Sequence, residues 1–449
     1  MKRILSMLLG VLMVMTLMIG CQKTTDGDAT TNNVDTKETK NSDSNSNQKE
    51  VVKETEDEKV PVTLRVAWWG SQGRHDYTLQ LLDMYTKLNP HVTFEAEYTG
   101  WDDYWTKLSY QAAANDLPDI MQTVVGRPEP APLIEAGLFA DLKPFVGNKL
   151  NLSEVADGLI STGEVAEKLV GVALSSNALA IVYDPDLLKQ AGVEVPEFGY
   201  TWDDYIAICK KINSELGIYG TGDIETQNIL YNYYPRQFGE HFFADDEDGL
   251  GISKEVLSKY LSMKLELQKA GLMPDVAEIS QEMGVEDHPL VHGKAAFAWK
   301  WAPNLGTLEE PAGKKFELLP LPGPNAEKAQ FVKAGMHFSV AESSAVKKEA
   351  VKFIDWFIND IEANKIINAD RGVPSSAAVR KEMLPILGET QQKVFEYVDF
   401  VGANSTPQDT FLPVKVNDIL ESISDLEEKV LFKKITLEEA VEKFFSSMQ

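Results

Sequence analysis

The chain has 449 residues, 43% apolar and 9% aromatic, with 43 basic against 69 acidic residues and a formal net charge of −26. It can build substantial cores, and its field repels nucleic acid and anionic lipid surfaces while leaving a neutral ligand, a cation or a basic partner patch open. With only two cysteines, Cys21 and Cys209, the fold does not depend on disulfides.

Lys2 and Arg3 precede a stretch from Ile4 to Ile19 that is apolar apart from Ser6 and Thr16, and Gly20 stands directly before Cys21. Basic, then apolar, then small is the layout of a secretory signal. It resembles a bacterial lipoprotein signal, with Met18 where leucine is usual. The resemblance implies that residues 1–20 are removed, that Cys21 is lipidated, and that the body is held at the extracellular face of the cell membrane through that lipid alone. Lys23 to Lys59 is polar and has no aromatic residue, so it cannot bury enough apolar surface to offset ordering its backbone. As a flexible coil it would reach roughly 30 to 35 Å, and residues 21–60 read as a lipidated, disordered tether. Without residues 1–20, which carry Lys2 and Arg3 and no acid, 41 basic residues face 69 acidic ones, a net charge of −28.

About 390 residues follow, more than one core usually serves, so two lobes are expected. Val62 to Trp68 reads as a strand ending in the turn Trp69 to Gly73. A helix from about Asp76 to Leu88 is expected to bury Leu79, Leu82, Tyr85 and Leu88, and Asn89-Pro90 stops it. A strand at Val92 to Tyr98, a helix at Asp102 to Ala114 and a buried strand at Ile120 to Val124 come next. Alternation of this kind argues for an α/β fold with mostly parallel strands. Further on, Leu179 to Tyr183 is a strand and Asp186 to Ala191 a short helix. Thr201 with Asp204 forms a capping-box pattern for a helix burying Tyr205, Ile208, Cys209 and Ile212. Cys209 reads as a buried thiol, with no assisting histidine nearby in sequence. Ser253 to Ala270, Ala345 to Ile367 and Leu437 to Phe445 are amphipathic helices. The matching segments at Trp101 to Tyr104 and Trp202 to Tyr205 read as two helix starts rather than an internal repeat.

A series of landmarks then carries a resemblance: LRVAWWGSQGR from Leu64, YTKLNPHVTFEAEY from Tyr85, LPDIMQT from Leu117, ALSSNALAIVYDPDLLKQAG from Ala173, TWDDY from Thr201, GKAAFAWKWAPNL from Gly293, LPLPGP from Leu319 and RGVPSS from Arg371. In order and spacing the chain resembles the extracellular sugar-binding proteins of ABC importers, solute-binding protein family 1, which includes the maltose-binding protein. The resemblance implies a two-lobed α/β fold of the type II periplasmic-binding-protein kind, closing on a ligand in the cleft between lobes. Lobe one would hold residues 62–172 and 319–370, and lobe two residues 173–317 and 371–449. It further implies an oligosaccharide ligand, a membrane permease as partner with separate ATPase subunits, no cofactor, no metal, and a monomer.

Sugars need aromatic planes for their C–H faces and fixed polar groups for their hydroxyls. Trp68 and Trp69 end the first strand, where ligands meet open α/β sheets; one should line the cleft and the other pack. Trp68 stands where the family keeps a cleft tryptophan. Trp299 and Trp301, two apart, point the same way in an extended segment and read as a stacking platform. Gln72 and Arg74 suit hydroxyl groups. Gln122 and Thr123, Ser176 and Asn177, and Asn228 and Tyr231 fall where the family keeps polar or aromatic ligand contacts, while His337, just after Gly335 near the returning lobe-one strand, and Arg371, at the last crossing, are added as candidates by their position. Trp101, Trp105, Trp202 and Trp356 are assigned to packing.

An enzyme is the first rival, but the chain has no G-x-S-x-G elbow, P-loop or H-E-x-x-H motif. His288 and His292 have metal-compatible spacing, with Pro289 between them and no obvious third ligand. A carrier of polyamines or another non-sugar solute, which Asp76 near Trp69 would suit, is the second rival. A surface adhesin without a small ligand is the third.

Overall fold

The strand Val62–Trp69 (β1) is buried on both faces at its C-terminal end, as expected for a strand inside an α/β layer. It pairs in parallel with Val92–Thr99 (β2) and Ile120–Thr123 (β3). After the short ribbon Glu164–Val165 (β4) with Lys168–Leu169 (β5), Val172–Ala173 (β6) leads into the long strand Ser175–Tyr183 (β7). Tyr219–Thr221 (β8), Ala295–Trp301 (β9), Glu317–Leu319 (β10), Val332–Ala334 (β11), His337–Val340 (β12) and Val373–Pro374 (β13) complete the set. One sheet has the order β2-β1-β3-β12-β6; a second runs β10-β7-β9-β8, with β11 and β13 also pairing with β7. The computed structural model describes residues 60–448 except 128, 245–248, 283 and 409–415, so the signal, Cys21 and nearly all of the tether lie outside the described residues. The residues it does describe form one compact unit.

The sheets are mixed rather than mostly parallel. β1, β2 and β3 run together, as do β8 and β9, but β12 enters antiparallel to β3 and β6, and β7 is antiparallel to every neighbour. The cause is the chain's return path: β11 and β12 lead back from the second sheet to the first and meet its strands head to tail. β7 begins at Ser175, four residues before the expected strand, because its first residues find partners in β11 and β13, distant in sequence.

Helices follow local signals where these are strong. Thr201 Oγ1 accepts from Asp204 N at 3.1 Å while the Asp204 carboxylate accepts from Thr201 N at 2.9 Å, and Gly217 ends helix Trp202–Leu216 in a left-handed conformation. Trp202, Tyr205, Cys209 and Ile212 face inward, and burial raises the Cys209 thiol far above its ordinary pKa, leaving it inert. Two expectations need correction. Helix Gln72–Leu88 starts at Gln72 and buries His75, Thr78, Leu81, Leu82 and Tyr85, leaving Leu79 and Leu88 exposed. Steps of three drift by about 60° each around a helix of 3.6 residues per turn, so Leu79 to Leu88 winds halfway round and cannot form one face. Ala345 to Ile367 is two helices, Lys347–Asn359 and Ile361–Ile367, divided where the Asp360 carboxylate caps Ala363 N at 2.8 Å.

Candidate functional site

β7 belongs to the second sheet and follows β6 of the first after one residue, and its register shows which side chains meet there. Its first half opposes Asn177 to Lys333 of β11; farther along, Leu179 opposes Trp301 of β9. Opposed residues share a face, as do alternate ones along a strand, so Trp301, Asn177 and Lys333 present one surface from three adjacent strands. All three are partly exposed, whereas Ser176 and Ala178, on the other face, are buried. The Lys333 ammonium sits 5.1 Å from the centre of the Trp301 ring, which also meets Phe331 edge-on at 6.2 Å.

From the first sheet, the segment after β3 brings Arg127 over Trp101 at 5.5 Å, with Glu129 held by two 3.2 Å hydrogen bonds. Trp101 is half-buried and packs edge-on against Trp69 at 4.8 Å. Burial lowers the Lys333 pKa, and the nearby positive charge of Arg127 lowers it further. Cations and indoles from both sheets thus converge beside the crossing strand.

Most of the other predicted residues are buried or bonded to groups of their own. Trp68 is fully buried, donates to His75 Nδ1 at 3.1 Å and stacks on Tyr98 at 5.0 Å. Trp69, 8% exposed, packs among Trp101, Tyr104 and Trp105, so neither indole at the end of β1 is open. Arg371 is buried and hydrogen-bonds Gln122 Oε1 and Thr78 Oγ1, the latter at 2.9 Å, over the Tyr77 and Phe357 rings at 5.5 Å each. Burial lowers its pKa to about 10. Gln122 also donates to Trp69 O at 3.3 Å, and Ser175 donates to Arg371 O, which ties the last crossing to β7. Thr123 and Ser339 hydroxyls pair at 2.8 Å, and Ser176 is buried beneath β13. Arg74 pins its helix to Asp370 at 2.9 Å, while Gln72 is exposed and reaches Asp76 at 2.8 Å.

His337 shows its protonation state. Val125 N donates to Nδ1 at 3.3 Å, and Thr162, whose hydroxyl donates to Leu159 O at 2.6 Å, must accept from Nε2 at 3.0 Å. The ring is a neutral, buried tautomer, pushed down to about 3 by burial and by the charge of Lys333.

Trp299 corrects an expectation. It is 1% exposed, lies flat on Trp202 at 5.5 Å and 7°, and donates to Tyr205 Oη at 2.9 Å. Trp202 covers one ring face and Tyr205 stands nearly perpendicular to the indole, so with Trp299 this buried the two-indole platform reduces to Trp301. Asn228 donates to Glu225 at 2.5 Å and lines a cavity of about 380 Å³ with Asp223, Glu427 and Glu428, apart from Tyr231, which packs on Phe242 and Phe243. His288 accepts from Leu290 N at 3.1 Å and is buried, while His292 is exposed, so the two do not share a site. Among the described residues no cluster of His, Cys, Asp or Glu could hold a metal ion. Sequence reading misses Lys333 and Arg127 and assigns Trp101 to packing alone; their meeting depends on β7–β11 register, which no local signal carries.

Two α/β sheets, with partly exposed polar and indole groups on the face of β7, β9 and β11, suit a binding protein. The chain belongs to the bacterial extracellular solute-binding proteins, whose family pattern matches residues 71–363. The extracellular solute-binding protein family 1 member of Alicyclobacillus acidocaldarius is similar in fold, with TM-score 0.78, 24% identity, and 87% of this chain and 98% of that one covered. So is the periplasmic oligogalacturonide binding protein of Yersinia enterocolitica, with TM-score 0.73, 22% identity, and 86% and 100% covered. The multiple sugar-binding protein of Streptococcus mutans is 22% identical over 151 residues, 33% of this chain and 34% of that one. A binding protein of Brucella abortus is 26% identical over 163 residues, 35% of this chain, so the match spans only 38% of that relative's length. The family binds solutes and is not catalytic. Among the described residues no helix is long and apolar enough to cross a membrane.

Proposed function

We propose that this chain is the lipid-anchored receptor of an ABC importer that captures an oligosaccharide between two lobes and delivers it to a membrane permease. In this reading Cys21 carries the lipid, residues 62–172 with 319–370 form lobe one, and 173–317 with 371–449 form lobe two. The observation that carries it is the shared, partly exposed face of Trp301, Asn177 and Lys333 on β9, β7 and β11, with the charge of Arg127, which lies over Trp101, felt at Lys333. Indole planes take sugar C–H faces while the amide and cations take hydroxyls. A ligand that bridges both sheets favours the closed arrangement by its differential contacts, which gives the permease a signal to read. Two relatives named for the sugars they bind, one for oligogalacturonides and one for multiple sugars, support the substrate class.

The test is calorimetry of the purified body against mono- and oligosaccharides and against polyamines, with small-angle scattering of each complex. Saccharide binding with a smaller radius of gyration is expected. Binding of polyamines alone would replace the sugar, and compaction with no ligand would remove the receptor mechanism.

A further inference from the structure

Several lysines with restricted solvent access in this chain are paired. Lys264, fully enclosed, meets Glu427 at 2.6 Å and Asp223 at 3.0 Å; Lys300 meets Glu225; Lys393 meets Glu317 at 2.7 Å and Glu389 at 3.0 Å. Lys333 has no such partner. Among the described residues no carboxylate lies within 4.0 Å of it, and its ammonium lies over the face of Trp301. The neighbouring charge that acts on it is another cation, Arg127. A cation–π contact offsets only part of what desolvating an ammonium takes away.

In a chain with 69 acids against 43 bases, a half-buried ammonium without an acid is a local inversion of the overall charge. The net field does not forbid an anion there, because charges farther off than about 8 Å are screened at physiological salt. Resting on the sugar-binding reading above, we propose that the solute is an acidic oligosaccharide, whose carboxylate pairs with Lys333 on the β11 side of the cleft with Arg127 alongside. Asn177, opposite Lys333, and the Trp301 and Trp101 rings then serve hydroxyls and ring faces, so charge and sugar are read by different side chains.

The experiment titrates the purified body with oligouronates of two to six residues, with the same oligomers after chemical reduction of every carboxyl to an alcohol, and with a sulfated neutral disaccharide. It repeats the titrations on Lys333→Met, which keeps the length of the stem against Trp301. The expected result is at least a tenfold preference for the carboxylated ladder over its reduced form, lost in Lys333→Met while the melting temperature holds or rises. Equal affinity for both ladders, preference retained in Lys333→Met, or tighter binding of the sulfated sugar would overturn the acidic-sugar proposal and leave sugar binding standing. No binding of any saccharide would remove both.

Discussion

Trp299 and Trp301 stand two residues apart on one strand face and do different work. Trp299 is closed off by Trp202 and Tyr205, so Trp299→Ala leaves a cavity and removes one hydrogen bond of Tyr205; a loss of about 3 to 5 kcal/mol is expected in urea unfolding. Trp301→Ala should change stability much less and weaken saccharide binding instead, so measuring both quantities on both variants separates the roles. The buried histidines make a second prediction. His288 and His337 are each pushed down to about 3, so below the ordinary value of 6.5 the unfolded chain takes up protons that the folded one refuses. Their stabilisation is complete above pH 6.5 and is lost as pH falls toward 3, on the order of 1 kcal/mol per pH unit for each. Glu282 is raised to about 7 by burial and opposes them between pH 7 and 4.5, with an effect reduced by its partial solvation. A net fall in the urea midpoint from pH 7 to pH 5 is therefore expected; a rise would mean that the histidines are protonated in the fold.

At the scale of elements, the start of β7 is tight because two other segments, at Gly335 and at Arg371–Gly372, close on it. A Cβ on Gly335 would lie 2.5 Å from Ser175 Oγ and 2.9 Å from Arg371 O, and Gly372 holds φ at +107°, a backbone that glycine tolerates. Gly335→Ala should force β7, β11 and β13 apart, costing about 1 to 3 kcal/mol by thermal unfolding and weakening binding in parallel. Unchanged stability would mean that the strands shift without loss. The helix start at Thr201 is legible from two residues, because a cap is a contact over three positions. The division at Asp360 is less legible, since an amphipathic period runs through it, and the first four residues of β7 are not legible at all, since their partners lie more than 150 residues away.

Across the whole molecule, β7 also couples the cores. Ala178, Ala180 and Val182 pack into the core that covers the first sheet, while Leu179, Ile181 and Tyr183 pack into the core around Tyr205 and Trp299. One strand cannot melt on one face alone, so unfolding should be a single transition, with far-ultraviolet dichroism and tryptophan fluorescence coincident in denaturant. A saccharide at 100 times its dissociation constant should add about 2.7 kcal/mol to that transition, and Trp301→Ala should abolish the gain at the same concentration. Two separated transitions would show that the cores are independent.

The landmarks from Leu64 to Ser376, the alternation of strands and helices and the capping pattern are local or linear properties, and they suffice for the α/β class and the binding-protein family. Which indole is open, which histidine is neutral and which lysine lacks an acid are properties of register and burial. They arise when β11 lies against β7 and helix Trp202–Leu216 closes over Trp299, contacts between residues 94 to 158 positions apart. Hydrophobic residues look alike in a sequence whether they end in a core or in a cleft; only the neighbours brought by folding separate the two.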